Sequence, residues 1–185
     1  MKILLPLANG FEEIEAINVI DILRRGEVDV VTAGLKEGLA EGSHNIKVLP
    51  DTTLDKIDYR DFDGQVLPGG APGFVNLGND ERILTMAREM DKAGKIIAAI
   101  CAAPSVLIKA GILQGRTATV SPSGKAQVQA CAHFSEKRVV VDGNLVTSRS
   151  PGTAMEFALK LVEVLAGKEK MMQVRAQSLA DCWDD

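Results

Sequence analysis

Residues Ile96 to Gly111 read IIAAICAAPSVLIKAG. The run into Cys101 consists of small or branched apolar residues with no polar alternation, which suits a strand buried on both faces. Pro104 fits the first turn of a helix, where its missing N–H would have no partner anyway. Gly111 stops that helix. Cys101 therefore falls in a strand-to-helix turn, and the small Ala102 and Ala103 let the chain turn sharply there.

Working outward, the same alternation recurs. Lys2–Leu7 is a strand candidate, Asn9-Gly10 a turn, and Glu12-Glu13 open a helix that runs to about Arg25 and stops at Gly26. Acidic residues at its start and Arg24-Arg25 at its end complement the helix dipole. Val28–Ala33 reads as the next strand, Ile46–Leu49 as a short extra one, and Gln65–Leu67 as a strand running into Pro68-Gly69-Gly70. Arg82–Ala93 places Ile83, Met86, Ala87 and Met90 on one helical face. After the opening stretch come a strand at Thr117–Val120 and a hairpin of Arg138–Val141 and Leu145–Thr147 about Asp142-Gly143-Asn144. An amphipathic helix at Thr153–Ala166 and a helical stretch at Lys168–Ala180 finish the chain. Alternating elements with continuously apolar strands predict an α/β fold. We expect a three-layer sandwich of flavodoxin-like or Rossmann-like type, with a mostly parallel sheet and helices on both faces. Residues 1–185 are expected to form one domain, with about 168–185 as a helical extension.

Composition narrows the function. Net charge is −4 and basic residues are scattered, so no nucleic-acid surface is expected. No apolar run approaches the roughly 18 residues of a membrane span. The apolar run of MKILLPLANG is shorter than a signal h-region and meets Glu12 and Glu13 at once, so a cytoplasmic location is expected. Cys101, Cys131 and Cys182 are an odd, unpaired set with no CxxC, and only His44 and His133 are present, so neither a disulfide framework nor a metal site is expected. PGGAPG lacks the Lys and Ser/Thr of a phosphate-binding loop, and no cofactor is predicted.

In a parallel sheet the working site lies at the carboxyl ends of the strands. Two stretches sit there, Gly69-Gly70 and Cys101. The turn at Cys101 resembles a nucleophile elbow in which Ala99 and Ala103 stand where glycines are usual. Backbone N–H groups and the following helix should lower the thiol pKa. Spacing alone leaves a second reading open, a small buried hydrophobe at a strand end. Glu15 likewise reads either as functional or as part of a solvated first turn. Gly69-Gly70 reads as a turn.

PGGAPGFVNL, AAICAAPSVLIKAGIL and TSRSPGTAMEFALKLVEVL, with the opening LANGFEEIEAINVIDILRR, resemble the ThiJ/PfpI (DJ-one) superfamily and within it the YajL-type deglycase branch. The resemblance implies that Cys101 is the reactive cysteine and Glu15 its carboxyl partner. It implies further that Gly69, Gly70 and Ala102 supply backbone donors, that Ser121, Ser148 and Pro151 border the site, and that Arg24 and Arg25 lie near a homodimer interface. The apolar residues of the first helix (Ile14, Ile17, Val19, Ile20 and Leu23) exceed one stripe, which leaves surface for a partner. Ala102 stands where protease-like members have histidine, so a protease is not expected. Ser121 stands where some members of this branch carry a histidine, and His133 and His44 are read as surface residues. The implied function is a cofactor-independent cysteine enzyme of glyoxalase III or deglycase type. It would convert 2-oxoaldehydes such as methylglyoxal to hydroxy acids, or act on early glycation adducts of proteins. The other function implied is a redox-sensing, stress-protective or chaperone-like protein whose key event is oxidation of Cys101.

Overall fold

The computed structural model describes residues 1–180. Among the described residues, eleven strands and seven α-helices follow in order. They are β1 Lys2–Leu7, α1 Glu13–Arg25, β2 Asp29–Gly34, β3 Ala40–Glu41, β4 Lys47–Val48, β5 Thr52–Thr53, β6 Gly64–Leu67, α2 Gly73–Asn79, α3 Glu81–Lys92, β7 Ile96–Ile100, α4 Pro104–Lys109, β8 Thr117–Ala118, α5 Lys125–Gln129, β9 His133–Phe134, β10 Val139–Asp142, β11 Leu145–Ser148, α6 Ala154–Ala166 and α7 Lys168–Gln177. Seven of the strands form one sheet in the order β10-β11-β7-β6-β1-β2-β5. Every pairing in it is parallel except the hairpin of β10 with β11.

The apolar runs explain the layers. On one face Ile3, Leu5, Val66, Ala98 and Ile100 pack with Val19, Leu23, Phe157 and Leu161 from α1 and α6. On the other face Leu4, Leu67, Ile97 and Ala99 pack with Ile83, Met90, Val106 and Leu107 from α3 and α4. Strands buried on both sides have no polar face to show, which is why their sequences do not alternate. The expected α/β sandwich with helices on both faces is the observed fold. Gly26 ends α1 and also admits α6, because a Cβ there would lie 2.9 Å from Val162 Cγ1.

Several elements differ from the sequence reading. The strand expected at Ile46–Leu49 shrinks to Lys47–Val48 and pairs with β3 in a separate hairpin. Only Thr117–Ala118 of the expected Thr117–Val120 strand pairs, and it does so with β9 outside the main sheet. Helices α2 and α5 were not expected. α2 carries glycines at both ends and α5 spans five residues. Neither offers the propensity or periodicity that marks a helix in sequence. Tertiary packing decides both.

β1 has β2 on one side and β6 on the other. The chain leaving β1 enters α1 on one face and the chain leaving β6 leads to α3 on the other, and the two segments meet at the carboxyl ends of the strands, where Glu12 N–H donates to Gly69 O at 3.0 Å and Gly73 N–H to Gly10 O at 3.1 Å. The turn after β7 lies beside them, with a Cβ on Gly69 only 2.8 Å from Cys101 Cβ. The tip of the β3–β4 hairpin lies over the start of α1, where Gly10 N–H donates to Glu41 O at 2.7 Å and Ser43 N–H to Phe11 O at 2.8 Å.

Candidate active site

Cys101 ends β7 with φ of +62°. A non-glycine residue pays steric strain in this left-handed region and keeps it only when its surroundings fix it. Here both ends of its peptide are held. Cys101 N–H donates to Ser148 O at 3.1 Å, and Ser121 N–H donates to Cys101 O at 2.9 Å. The strand thus turns abruptly, and α4 begins at Pro104. The sulfur is half-buried.

Glu15 comes from the first turn of α1 and is fully buried. Its Oε2 accepts the Gly69 N–H at 2.8 Å. A Cβ on Gly69 would lie 2.7 Å from that oxygen and 2.8 Å from Cys101 Cβ. Only a glycine lets carboxyl and cysteine converge over this backbone. Glu15 Oε1 is buried without a partner in hydrogen-bond geometry, while the Cys101 thiol is close enough to act on the carboxyl. Gly70 continues the wall at φ +89°, and a Cβ there would fall 2.2 Å from Glu12 N.

Burial pushes the Glu15 carboxyl up to about 7; the Gly69 N–H and the Cys101 thiol pull it down, and the charge of Glu12 adds to the rise. Burial, with the charge of Glu15 and its hydrogen bond, pushes the Cys101 thiol up to about 12, against the N–H groups of Ala102 and Gly70. The expectation of a lowered thiol is therefore corrected. The helix argument counted the N–H donors and left out burial and the neighbouring carboxylate. α4, with six residues, also offers only a short dipole. The two groups titrate as one unit. Between about pH 7 and about pH 12 the pair holds one negative charge. On these values that charge rests mainly on the Glu15 carboxylate; moving the proton from sulfur to Glu15 leaves a thiolate facing two backbone donors.

The structure brings Cys101, Glu15, Gly69, Gly70 and Ala102 together. Gly70 and Ala102 point N–H groups at the sulfur, whereas the Gly69 N–H is committed to Glu15 and is not free for a substrate oxygen. Ser121 and Ser148 hold Cys101 through their backbones. The Ser148 hydroxyl donates to Arg138 O at 2.8 Å and lies 2.7 Å from Thr153 Oγ1, so it serves the loop containing Pro151 and not the sulfur. The Ser121 hydroxyl pairs with Ser123 Oγ at 3.0 Å. His133 is exposed in β9, remote in role from the turn. Arg24 bonds Asp51 and Val30 O, and Arg25 bonds Asp21. Cys131 offers its thiol to Gln127 O and Val128 O at 3.6 and 3.7 Å, with no carboxyl in attendance. Cys182 lies outside the described residues.

The first turn of α1 is where sequence reasoning missed most. Glu12 and Glu13 are not solvated, being 7% and 5% exposed. Glu13 accepts the His44 ring at 2.9 Å, the His44 N–H at 2.6 Å and the Ile46 N–H at 3.4 Å. Burial alone would raise Glu13, but these hydrogen bonds hold it down at about 2. His44 is raised in turn, first by its hydrogen bond to Glu13 and then by that residue's charge. Glu12, Glu13 and His44 each bring one donor atom within 4.8 Å of the others. With the Glu13 oxygens already taken by His44, Ser43 and backbone N–H groups, the cluster is built as an ion pair. No sequence period marks it, because a hairpin 30 residues further along the chain supplies the partner.

Residues 1–164 match the DJ-1/PfpI family. The chain belongs to that family. It is 47% identical over 173 residues to protein dj-1beta of Drosophila melanogaster, covering 92% of each chain. It is 38% identical over 167 residues to a deglycase of Pyrococcus horikoshii, covering 89% of this chain and 99% of that one. Among solved structures, Drosophila DJ-1beta superposes with a TM-score of 0.93 at 45% identity, covering 96% of this chain and 97% of that one. Toxoplasma gondii DJ-1, in an oxidized form, gives 0.91 at 38% identity with the same coverage. Among the described residues no helix is long and apolar enough to cross a membrane.

Proposed function

We propose that this DJ-1/PfpI chain is a cofactor-independent cysteine enzyme acting on 2-oxoaldehydes or on the early adducts they form with proteins. The observation that carries the reading is the convergence of a strained Cys101, a buried Glu15 and the N–H groups of Gly70 and Ala102. The relative named as a deglycase supports it.

The Cys101 thiolate adds to the aldehyde carbon of methylglyoxal. The carbonyl oxygen gains negative charge beside the Gly70 and Ala102 N–H groups and takes the Glu15 proton, giving a hemithioacetal. Glu15, now a carboxylate, removes the proton from C1 and returns it to C2 through an enediol. C1 is oxidised to a thioester as C2 is reduced to an alcohol. Water then cleaves the thioester, releasing lactate and restoring the thiol. The redox change is internal to the substrate, so methylglyoxal and water alone balance the products. On a glycation adduct, C1 would first release the protein's amine or thiol, which takes a proton from Glu15 as the C1 hydroxyl loses its own, and the aldehyde so regenerated would meet the same attack. The test is lactate production from methylglyoxal, with Cys101→Ala as the control. No lactate at high concentrations of intact protein sinks the reading.

A second reading rests on the unpartnered Glu15 Oε1. A protonated carboxyl there can donate to an oxygen on oxidised sulfur, which would make Cys101 a peroxide sensor. Mass spectrometry after mild peroxide separates the two. Stable sulfinic acid on Cys101 in a protein without turnover favours the sensor.

A further inference from the structure

Glu12 is bound to the reactive pair from two sides. As the residue capping α1 it accepts the Glu15 N–H on Oε2 at 3.2 Å. Its own N–H donates to Gly69 O at 3.0 Å, and Gly69 is the residue whose N–H holds the Glu15 carboxyl. The Glu12 carboxylate is buried, and its Oε1 lies 3.9 Å from His44 Nδ1. We propose that Glu12 is a positioning residue for the Cys101–Glu15 pair: its carboxylate aims Glu15 and increases the share of the pair's proton that Glu15 holds, and with it the share of charge on sulfur, while His44 tempers that bias from the solvent side. This role rests on the pair being the reactive unit proposed above.

The charges involved are few. Cys101 faces Glu15 from the β7–α4 turn, and Glu12 acts on it from its own helix. Behind Glu12 stand Glu13 on α1 and His44 on the β3–β4 hairpin. The segment after β6 contributes backbone alone, and α6 meets α1 through apolar residues. Glu12 is bonded directly to Glu15 through that residue's N–H, and its charge acts on the Glu15 carboxyl. Its repulsion therefore disfavours a carboxylate at Glu15 more than a thiolate at Cys101. Two consequences with defined signs follow. Removing the charge makes the pair's first proton easier to lose, and it lowers the share of the remaining charge carried by sulfur.

The experiment is alkylation of Cys101 by iodoacetamide against pH in the full chain, with peptide mass spectrometry separating Cys101 from Cys131 and Cys182. Glu12→Asn keeps the cap and removes the charge. It should lower the midpoint by roughly half a unit or more and reduce the plateau rate at least about threefold. Glu12→Asp should restore both. His44→Gln should move the midpoint up. Loosening of the helix start alone would change rates without moving the midpoint, and Glu12→Ser repeats the test should the Asn variant not fold. An unmoved midpoint in Glu12→Asn, or Glu12→Asp behaving like Glu12→Asn, overturns the role of Glu12 while leaving the pair intact. Wild-type Cys101 reacting no faster than Cys131, with no titration, overturns the pair itself and this role with it.

Discussion

Gly69→Ala separates stability from chemistry in this fold. The φ of Gly69 is not in the left-handed region, so alanine is free to adopt the backbone and would restrict the unfolded chain, a gain of about 0.4–1 kcal/mol. Against this, the new methyl lies 2.8 Å from Cys101 Cβ and 2.7 Å from Glu15 Oε2, with Ile100 O at 3.1 Å. Carbon atoms rest at about 3.5–4.0 Å, so cysteine and carboxyl must move apart by something near 1 Å. Overpacking of this kind costs about 1–3 kcal/mol. The net loss should be no more than about 2.6 kcal/mol, a fall in Tm of at most roughly 5–10 °C for a chain of this size. The chemistry should suffer more. A misplacement of about 1 Å between reacting groups lowers rates on the order of 10²-fold. The assays are a thermal melt, alkylation of Cys101 and methylglyoxal turnover on the same preparation. Wild-type turnover and alkylation in Gly69→Ala would refute the argument, for they would show that cysteine and carboxyl need not converge over a bare backbone.

Other predictions concern the pair, the core and the surface. Glu15 binds its proton up to about pH 7 in the folded state against an ordinary value of 4.5; between these the folded chain holds more protons, so stability should fall as pH rises, by up to about 3 kcal/mol. Denaturant titrations should show this slope flattened in Glu15→Gln, which should keep the thiol but lose turnover by roughly 10²-fold or more. Gln65 is fully buried in β6 and neither amide atom has a partner; Gln65→Leu should stabilise the protein by about 1–3 kcal/mol in urea, and a loss would contradict the unpaired amide. Ile14 and Ile17 are 57% and 41% exposed on α1, with Ile46 at 55% on the hairpin side, so light scattering should give a dimer mass that Ile17→Asp reduces to a monomer; a monomeric wild type at micromolar concentration would exclude the α1 interface.

The layers and the elbow were legible in sequence because their causes are local. IIAAI is apolar without alternation because both its faces are covered, and Pro104 and Gly111 bracket a helix through backbone chemistry that each residue carries with it. The placing of Cys101 at the strand end follows from the same local rules. Tertiary structure alone decided the rest. A helix as short and glycine-rich as α2 exists only against its neighbours. Glu12, Glu13 and Glu15 look alike in FEEIE, yet each meets a different environment. Glu12 caps the helix, Glu13 is held down by His44, and Glu15 is pushed up against Cys101. The sign of a carboxyl's shift is set by what surrounds it in space, and for these three the surroundings arrive from the β3–β4 hairpin, the chain after β6 and the turn after β7. The thiol makes the same point, since its donors are local but its burial and the opposing carboxylate are not.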